Sequence, residues 1–453
     1  MLIIISDVHL GDGTCGRPIS GNAFRLFGNR LQELAENASW RADGTYRPVD
    51  EINVLLMGDI LDALHSTLWL DTRPGAPGYT RPWTDFTAPG FAEKLLAITR
   101  DILANNREAA EVLRKVSRGE IVRLPPPAGG KPDETAARLP VPARIFYMVG
   151  NHDWYYHLPG PAFDAIRKEI IESLGLANGP GPFPSEAEES GDLMEMLTRY
   201  KVYARHGDFY DGFNFNQEKG RDAYALGDIF TVEMMNRFPV EARNKLGVDI
   251  PPVVFDGLRE MTNVRPVLAA PLWISSQITH NDLPRSVQDE LKAIWDGLGE
   301  EFLAMDVVRA EDLWLKPDSV DALQVLLKIS KHTPFATLNK IILRLRRMMG
   351  NEAISYSENA LKETAFRKGW ANYVVFGHTH HREVLPLDTL GPVLERVDKF
   401  YFNSGTWHTY FGLALNHPEE QKFIPYQEMT YLAFYHEGER RGRRFETWSG
   451  AFA

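Results

Sequence analysis

Asp7 and His9 stand two residues apart, directly after the apolar run Leu2–Ser6 in "LIIISDVHLGDG". Burying a carboxylate and an imidazole where a strand ends is costly unless each meets a charged partner, and a metal ion is one such partner. The same arrangement recurs four times. The run Val54–Met57 leads into "GDILD", with Asp59 and Asp62. Ile145–Val149 leads into "GNHDW", with Asn151, His152 and Asp153, and Lys201–Ala204 leads into "RHGD", with His206. Tyr373–Phe376 leads into "GHTHH", with His378 and His380. Carboxylate, amide and imidazole donors of this kind suit Mn²⁺, Fe or Zn²⁺ better than Ca²⁺. Singly, each motif has an ordinary structural explanation: a helix cap for Asp62, an Asx turn for "GNHD", a satisfied histidine for His206. His378 and His380, two apart, would share one face if they lay on a strand. Five apolar runs in a row, each ending in ligand-type side chains, predict a shared metal site.

The elements that must position these residues follow from periodicity. Short β-branched and aromatic runs predict strands at Leu2–Ser6, Val54–Met57, Ile145–Val149, Lys201–Ala204, Tyr373–Phe376, Lys399–Asn403, Thr430–His436 and Arg444–Trp448. The last two flank "EGERRGR" and predict a hairpin whose arginines form a solvated turn. Phe24, Phe27, Leu31 and Leu34 recur at helical spacing, as do Phe163, Ile166, Ile170 and Leu174, with Gly175 as the helix stop. Strands alternating with helices predict an α/β layered core, and loops at strand C-termini are where such sheets build sites. Residues 123–140, rich in Pro, Gly and Ala, read as an exposed loop.

From 211 to 370 helical patterns dominate, as in "SVQDELKAIWDGLGEEFLAM", "SVDALQVLLKIS" and "PFATLNKIILRLRRMM", with "SENALKETAFRKGW" ending at Gly369 just before the strand at Tyr373. The expected organisation is a core in two parts, 1–210 and 371–453, interrupted by a mainly helical insertion at 211–370. The insertion joins the strands that deliver His206 and His378, so it is placed to cap the metal face, with a dimerisation or partner-binding domain as the alternative. Arg344, Arg346 and Arg347 read as a solvated helix face.

In order, "D-x-H", "G-D-x-x-D", "G-N-H-D", "H-G-D" and "G-H-T-H" resemble the motifs of the calcineurin-like metallophosphoesterases. That resemblance implies an α/β, four-layer αββα sandwich, here with a large helical insertion or cap. It implies two divalent metal ions: Asp7, His9 and His380 on one, Asn151, His206 and His378 on the other, and Asp59 bridging both. It further implies in-line attack on phosphorus by a metal-bridging hydroxide, with His152 assisting the leaving group and Asp62 orienting His152. Two ligand carboxylates against two divalent ions would leave about +2 of charge to draw in a phosphate. Asp153 and Asp208 are expected in turn or supporting roles. Ala63 stands where the serine/threonine protein phosphatases carry a phosphate-gripping Arg. "HGD", "GHTH" and "NSGTWH" (403–408) instead resemble the UDP-2,3-diacylglucosamine pyrophosphohydrolases, with a longer insertion here. Trp407 and His408 fall in that last block, as site lining or core.

The bulk numbers bound the partner. With 50 Lys+Arg against 61 Asp+Glu, the net charge of −11 disfavours a general nucleic-acid binder, although a metal-dependent nuclease or cyclic-nucleotide phosphodiesterase is the alternative enzyme. A phosphorylated small or medium molecule is the expected partner. A non-catalytic scaffold would be expected to lose ligands, and all seven are present. The single cysteine, Cys15, allows no internal disulfide, and no run is long enough to span a membrane, which together predict a cytoplasmic protein.

Overall fold

The computed structural model describes residues 1–265, 269–312, 327, 333, 355–390, 396–414 and 416–452. Its strands are β1 (Leu2–Ile5), β2 (Ile52–Met57), β3 (Ala143–Met148), β4 (Val202–Ala204), β5 (Val264–Arg265), β6 (Tyr373–Phe376), β7 (Glu383–Leu390), β8 (Val397–Asn403), β9 (Thr409–Leu413), β10 (Phe423–Phe434) and β11 (Phe445–Phe452). They form two mixed sheets. One runs β3-β2-β1-β10-β9-β5 with β11 also on β10, and the other runs β7-β8-β6-β4. In the first, β1, β2 and β3 are mutually parallel, Ile3 opposite Val54 and Val54 opposite Ile145. In the second, β6 is parallel to both β8 and β4. The five strands that precede the ligand motifs each pair in parallel with at least one neighbour, and their carboxyl ends open towards one another.

Alternation along the strands decides what each face touches. Leu2, Ile4, Leu55, Met57, Phe146 and Met148 of the first sheet share an apolar cluster with Val202, Ala204, Tyr373, Val375 and Phe402 of the second. Ile3, Ile5, Val54, Leu56, Ile145 and Tyr147 point the other way. They pack on helices α1 (Gly21–Ala38), α2 (Pro89–Asn105), α3 (Arg107–Ser117) and α4 (Pro161–Leu174). Period-two strands thus put apolar side chains on both faces of the sheet, as buried parallel strands do. Gly175 ends α4 at φ +70°, where a Cβ would be strained, as its position in sequence predicts.

The region 211–370 builds a second apolar cluster around Leu226, Phe230, Phe238, Trp273, Leu291 and Trp295. Its helices include Arg285–Ala304, over the predicted "SVQDELKAIW…" segment. Three features depart from the sequence reading. Val264–Arg265 adds a strand beside Phe411 and Gly412, so the insertion also contributes to the first sheet. The "SENALKETAFRKGW" segment forms two short helices, Ser357–Ala360 and Thr364–Arg367, under Val374 and Tyr401 of the second sheet. Residues 123–140 form two short two-stranded ribbons, with the exposure expected of them. Apart from Leu327, which is helical and packs in the second apolar cluster, the predicted helices over 319–330 and 334–349, with Arg344, Arg346 and Arg347, lie outside the described residues. Among the described residues no helix is long and apolar enough to cross a membrane.

Candidate metal centre

Parallel pairing continues past the ends of β1 and β2 and sets the site. Asp7 N–H donates to Gly58 O (3.1 Å), His9 N–H to Asp59 O (2.9 Å), and Leu10 N–H to Ile60 O (2.8 Å). That ladder brings the Asp7 and His9 side chains alongside Asp59. The chain must alternate sharply to keep them there. Eleven non-glycine residues among those described have positive φ, and five of them are Asp7, His9, Asp59, His378 and His380. Asp and His tolerate this region better than β-branched residues, and such strain gathers where function demands it.

His378 and His380 are not on a strand. They lie beyond β6 in a left-handed loop, at φ +65° and +60°. They do not share one face as strand residues would, and each reaches a different group of ligands. His380 Nε2 lies 2.9 Å from Asp7 Oδ1 and 3.1 Å from His9 Nε2. Asp59 Oδ2 stands 3.8 Å from His9 Nε2, and Asp7, His9, Asp59 and His380 together are placed to hold a metal ion. On the other side of Asp59, its Oδ2 lies 3.2 Å from His206 Nε2, and Asp59, His206 and His378 form a second such group. Asn151 Oδ1 completes that side, 3.2 Å from His206 Nε2 and 2.9 Å from His378 Nδ1.

Close approach explains the glycines. A Cβ on Gly58, which has φ +80°, would sit 2.4 Å from His206 Nδ1. A Cβ on Gly150 would sit 2.3 Å from Asp59 Oδ1.

Outer contacts fix which ring nitrogen faces the centre. His206 Nδ1 donates to Met57 O (3.2 Å), and His378 Nε2 donates to Asp211 Oδ2 (3.0 Å). Tyr410 Oη is bonded to His380 Nδ1. His9 Nδ1 donates to Asp62 Oδ2 (2.9 Å), which leaves its Nε2 lone pair towards His380 and Asp59. This is the outer support that ligating histidines ordinarily have. A test of fit follows from Asp59. His152 N–H holds Oδ1 at 2.8 Å, but Oδ2 is fully buried with no hydrogen-bond partner. An orphaned carboxylate oxygen facing imidazole lone pairs from both groups is satisfied by a cation, so the donor set fits metal ions. Without a cation, the acids gather positive charge here by other means: burial works against charge on His206, yet Asp59 and Asp7 draw its pKa up to about 10, a proton that a bound metal ion would displace. Burial also opposes ionisation of Asp59, which nevertheless stays well below the usual carboxylate range beside His206 and His152.

Asp62 lies outside the two groups and serves three imidazoles. Besides His9 it accepts from His65 Nδ1 (2.8 Å) and His152 Nδ1 (3.1 Å), and from the backbone N–H of His65 (3.0 Å). Burial disfavours the charged form of His152, but Asp62 and then Asp59 hold its proton, raising its pKa to about 9. Asp153 accepts from Ile60 N–H, Gly150 N–H and the Tyr147 hydroxyl, a turn role. Asp208 pairs with Arg221, which also bonds Gly150 O. Trp407 is core: fully buried on Phe24 and Phe27, it donates to Thr430 O.

Sequence reasoning overlooked His65, Asp211 and Tyr410. His65 follows Asp62 by three, and Asp211 follows Asp208 by three, spacings that could have flagged both. Tyr410 carries no such signal, because only the sheet brings β9 to His380. A scan against protein-family models finds no match for this chain, and no curated protein matches it significantly.

Proposed function

We propose that this chain is a dinuclear metal-dependent phosphoric ester hydrolase with the αββα sandwich of the calcineurin-like metallophosphoesterases. The observation that carries this reading is the buried, unpartnered Asp59 Oδ2, set between His9 and His380 on one side and His206, His378 and Asn151 on the other. Asp7, His9, Asp59 and His380 would hold one ion, and Asp59, Asn151, His206 and His378 the other. Divalent ions bound there supply Lewis acidity to phosphate oxygens and lower the pKa of a water. The chain's residues do the rest. His152 turns Nδ1 to Asp62 and keeps Nε2 on the metal side, 4.0 Å from Asp59 Oδ2. From there it can protonate the departing oxygen, and Asp62 fixes its tautomer. The His152 backbone N–H orients Asp59, so one loop sets both ligand and acid.

The test is metal analysis joined to a manganese-supplemented screen of monoesters, diesters and pyrophosphates. The expected result is two equivalents of ion and metal-dependent turnover, with His152→Ala retaining both ions while losing about 10²–10⁴-fold on a poor leaving group. A protein that binds no stoichiometric pair of ions, or a His152→Ala variant as active as the parent, would refute the reading.

A further inference from the structure

Asp62 serves more imidazoles than orienting His152 requires. A carboxylate that fixes one ring's tautomer needs one hydrogen bond. Yet His65 Nδ1 (2.8 Å), His9 Nδ1 (2.9 Å) and His152 Nδ1 (3.1 Å) all converge on it. One ligand atom from each of these four residues lies within 4.8 Å of every other, a third group with the make-up of a metal site. His65 is the member that neither ion group nor the leaving-group step uses. Its ring stands edge-on to that of His152, with centroids 4.7 Å apart.

The space beside this group is matched to an ion and its water. A cavity of about 10 Å³ lies against His9, Asp62 and His65, room for about one water and for no larger ligand. Bond lengths point the same way. Four-coordinate zinc, with bonds of about 2.0–2.1 Å, holds neighbouring donors about 3.3 Å apart. The Asp62 oxygens stand 2.8 Å from His65 Nδ1 and 3.1 Å from His152 Nδ1, so small outward shifts of the two rings open the group to an ion. His65, His152 and Asp62 then give two nitrogens and one oxygen, and the cavity's water is the fourth ligand. His9 is a wall of the site and not a ligand. Its Nε2 faces Asp59 and His380, so its Nδ1 keeps its proton. Imidazole-rich ligation of this kind favours Zn²⁺ over Mn²⁺ or Mg²⁺. An ion already held by His9 repels a further cation, and both ligand rings must yield their Nδ1 protons, so this position fills last.

We propose that Asp62, His65 and His152 form a third, inhibitory site that takes Zn²⁺ once the two ions of the centre are in place. The inhibition rests on the phosphoesterase reading. An ion on Nδ1 takes the place of the proton that Asp62 holds there, and that proton leaves to solvent. His152 is left a neutral imidazole, whose Nε2–H is a far weaker acid than that of an imidazolium. Zinc in excess therefore withdraws the proton donor from the departing oxygen and leaves the two-ion centre intact.

The test starts from protein carrying two equivalents of zinc and adds more. Calorimetry should show one further binding event. Over the same zinc range, turnover of glycerol 2-phosphate should fall by about 10²–10⁴-fold, and that of 4-nitrophenyl phosphate, whose leaving group needs no proton, far less. His65→Gln should keep the first two ions, weaken the further event about tenfold or more and move the inhibition to higher zinc in step. His65→Cys should restore the event, and in its cobalt-loaded form the third equivalent of Co²⁺ should bring a thiolate-to-cobalt charge-transfer band that the parent lacks. No further event in the parent protein overturns the site. So does an event unchanged in His65→Gln with no such band in His65→Cys. If no ester is hydrolysed and the event still follows residue 65, the phosphoesterase reading fails and the metal site stands. If esters are hydrolysed and the event follows residue 65 with turnover undiminished, the inhibitory role is overturned alone.

Discussion

Replacing Asp62 by asparagine separates the roles of one buried carboxylate. Asp62 accepts four hydrogen bonds: Oδ1 takes the His65 backbone N–H (3.0 Å) and His152 Nδ1 (3.1 Å), and Oδ2 takes His9 Nδ1 (2.9 Å) and His65 Nδ1 (2.8 Å). Asparagine has one acceptor oxygen and one NH₂. The backbone N–H cannot become an acceptor, so the amide oxygen must occupy the Oδ1 place. The NH₂ then points at the Nδ1 atoms of His9 and His65. His9 can meet it only as an Nδ1 acceptor, which moves its proton to Nε2, the atom that faces Asp59 and His380. On the proposed two-ion arrangement, the perturbation should therefore strike the first ion through His9. Loss of such outer support typically weakens metal binding about 10–100-fold, or about 1.4–2.7 kcal/mol. Asn151, His206 and His378 are untouched, so the second ion should bind as before. His152 keeps an oxygen acceptor but loses a neighbouring charge, so its proton is held less firmly. Calorimetric metal titration of the apoprotein would show one weakened and one unchanged binding event. Two unchanged events, or equal loss at both, would refute the assignment of His9 and Asp62 to the same side.

Three further predictions rest on other contacts. Gly58→Ala places a methyl 2.4 Å from His206 Nδ1 at φ +80°, so thermal denaturation should show a loss of about 1–3 kcal/mol, with weaker binding of the second ion. A normal melting temperature together with normal metal affinity would contradict that geometry. Asp211→Ala removes the acceptor at His378 Nε2 and should weaken the second ion about 10–100-fold while sparing the first, read by the same titration. His157 bonds Asp222 (2.6 Å) and lies 3.4 Å from Glu189; against burial, these raise it from 6.5 to about 9, and Glu189 is held down at about 2. The His157 contribution is whole below pH 6.5 and lost as pH rises through 9; that of Glu189 is whole above pH 4.5 and lost as pH falls through 2. His157→Gln should thus cost about 1 kcal/mol near pH 5.5, a value kept small because both carboxylates are partly solvated, and almost nothing near pH 10. An equal loss at both pH values would exclude the ionic explanation.

What the sequence made legible was whatever repeats locally. Leu2–Ile5 and Tyr373–Phe376 announce themselves by unbroken apolar runs, and their parallel burial on both faces is why alternation is absent there. β7 escaped notice because five of its eight residues are exposed, so no apolar run marks Glu383–Leu390. Thr409–Leu413 is hidden by Gly412 and by its half-exposed face. The ligand-type residues were visible because strand ends carry them beside glycine. Tyr410 was not, since only sheet order joins it to His380, and the local spacing of Asp211 after Asp208 says nothing of its reach to His378 at the entry into the insertion. Backbone strain was equally invisible: nothing in "GHTHH" says that both histidines take positive φ. That strain carries the same message as the orphaned Asp59 oxygen. A chain that holds Asp7, His9, Asp59, His378 and His380 in an unfavourable backbone region, and leaves a buried carboxylate oxygen without a donor, stores a cost that a bound cation would return. Stripping bound metal with a chelator should therefore loosen these three loops before it loosens either sheet.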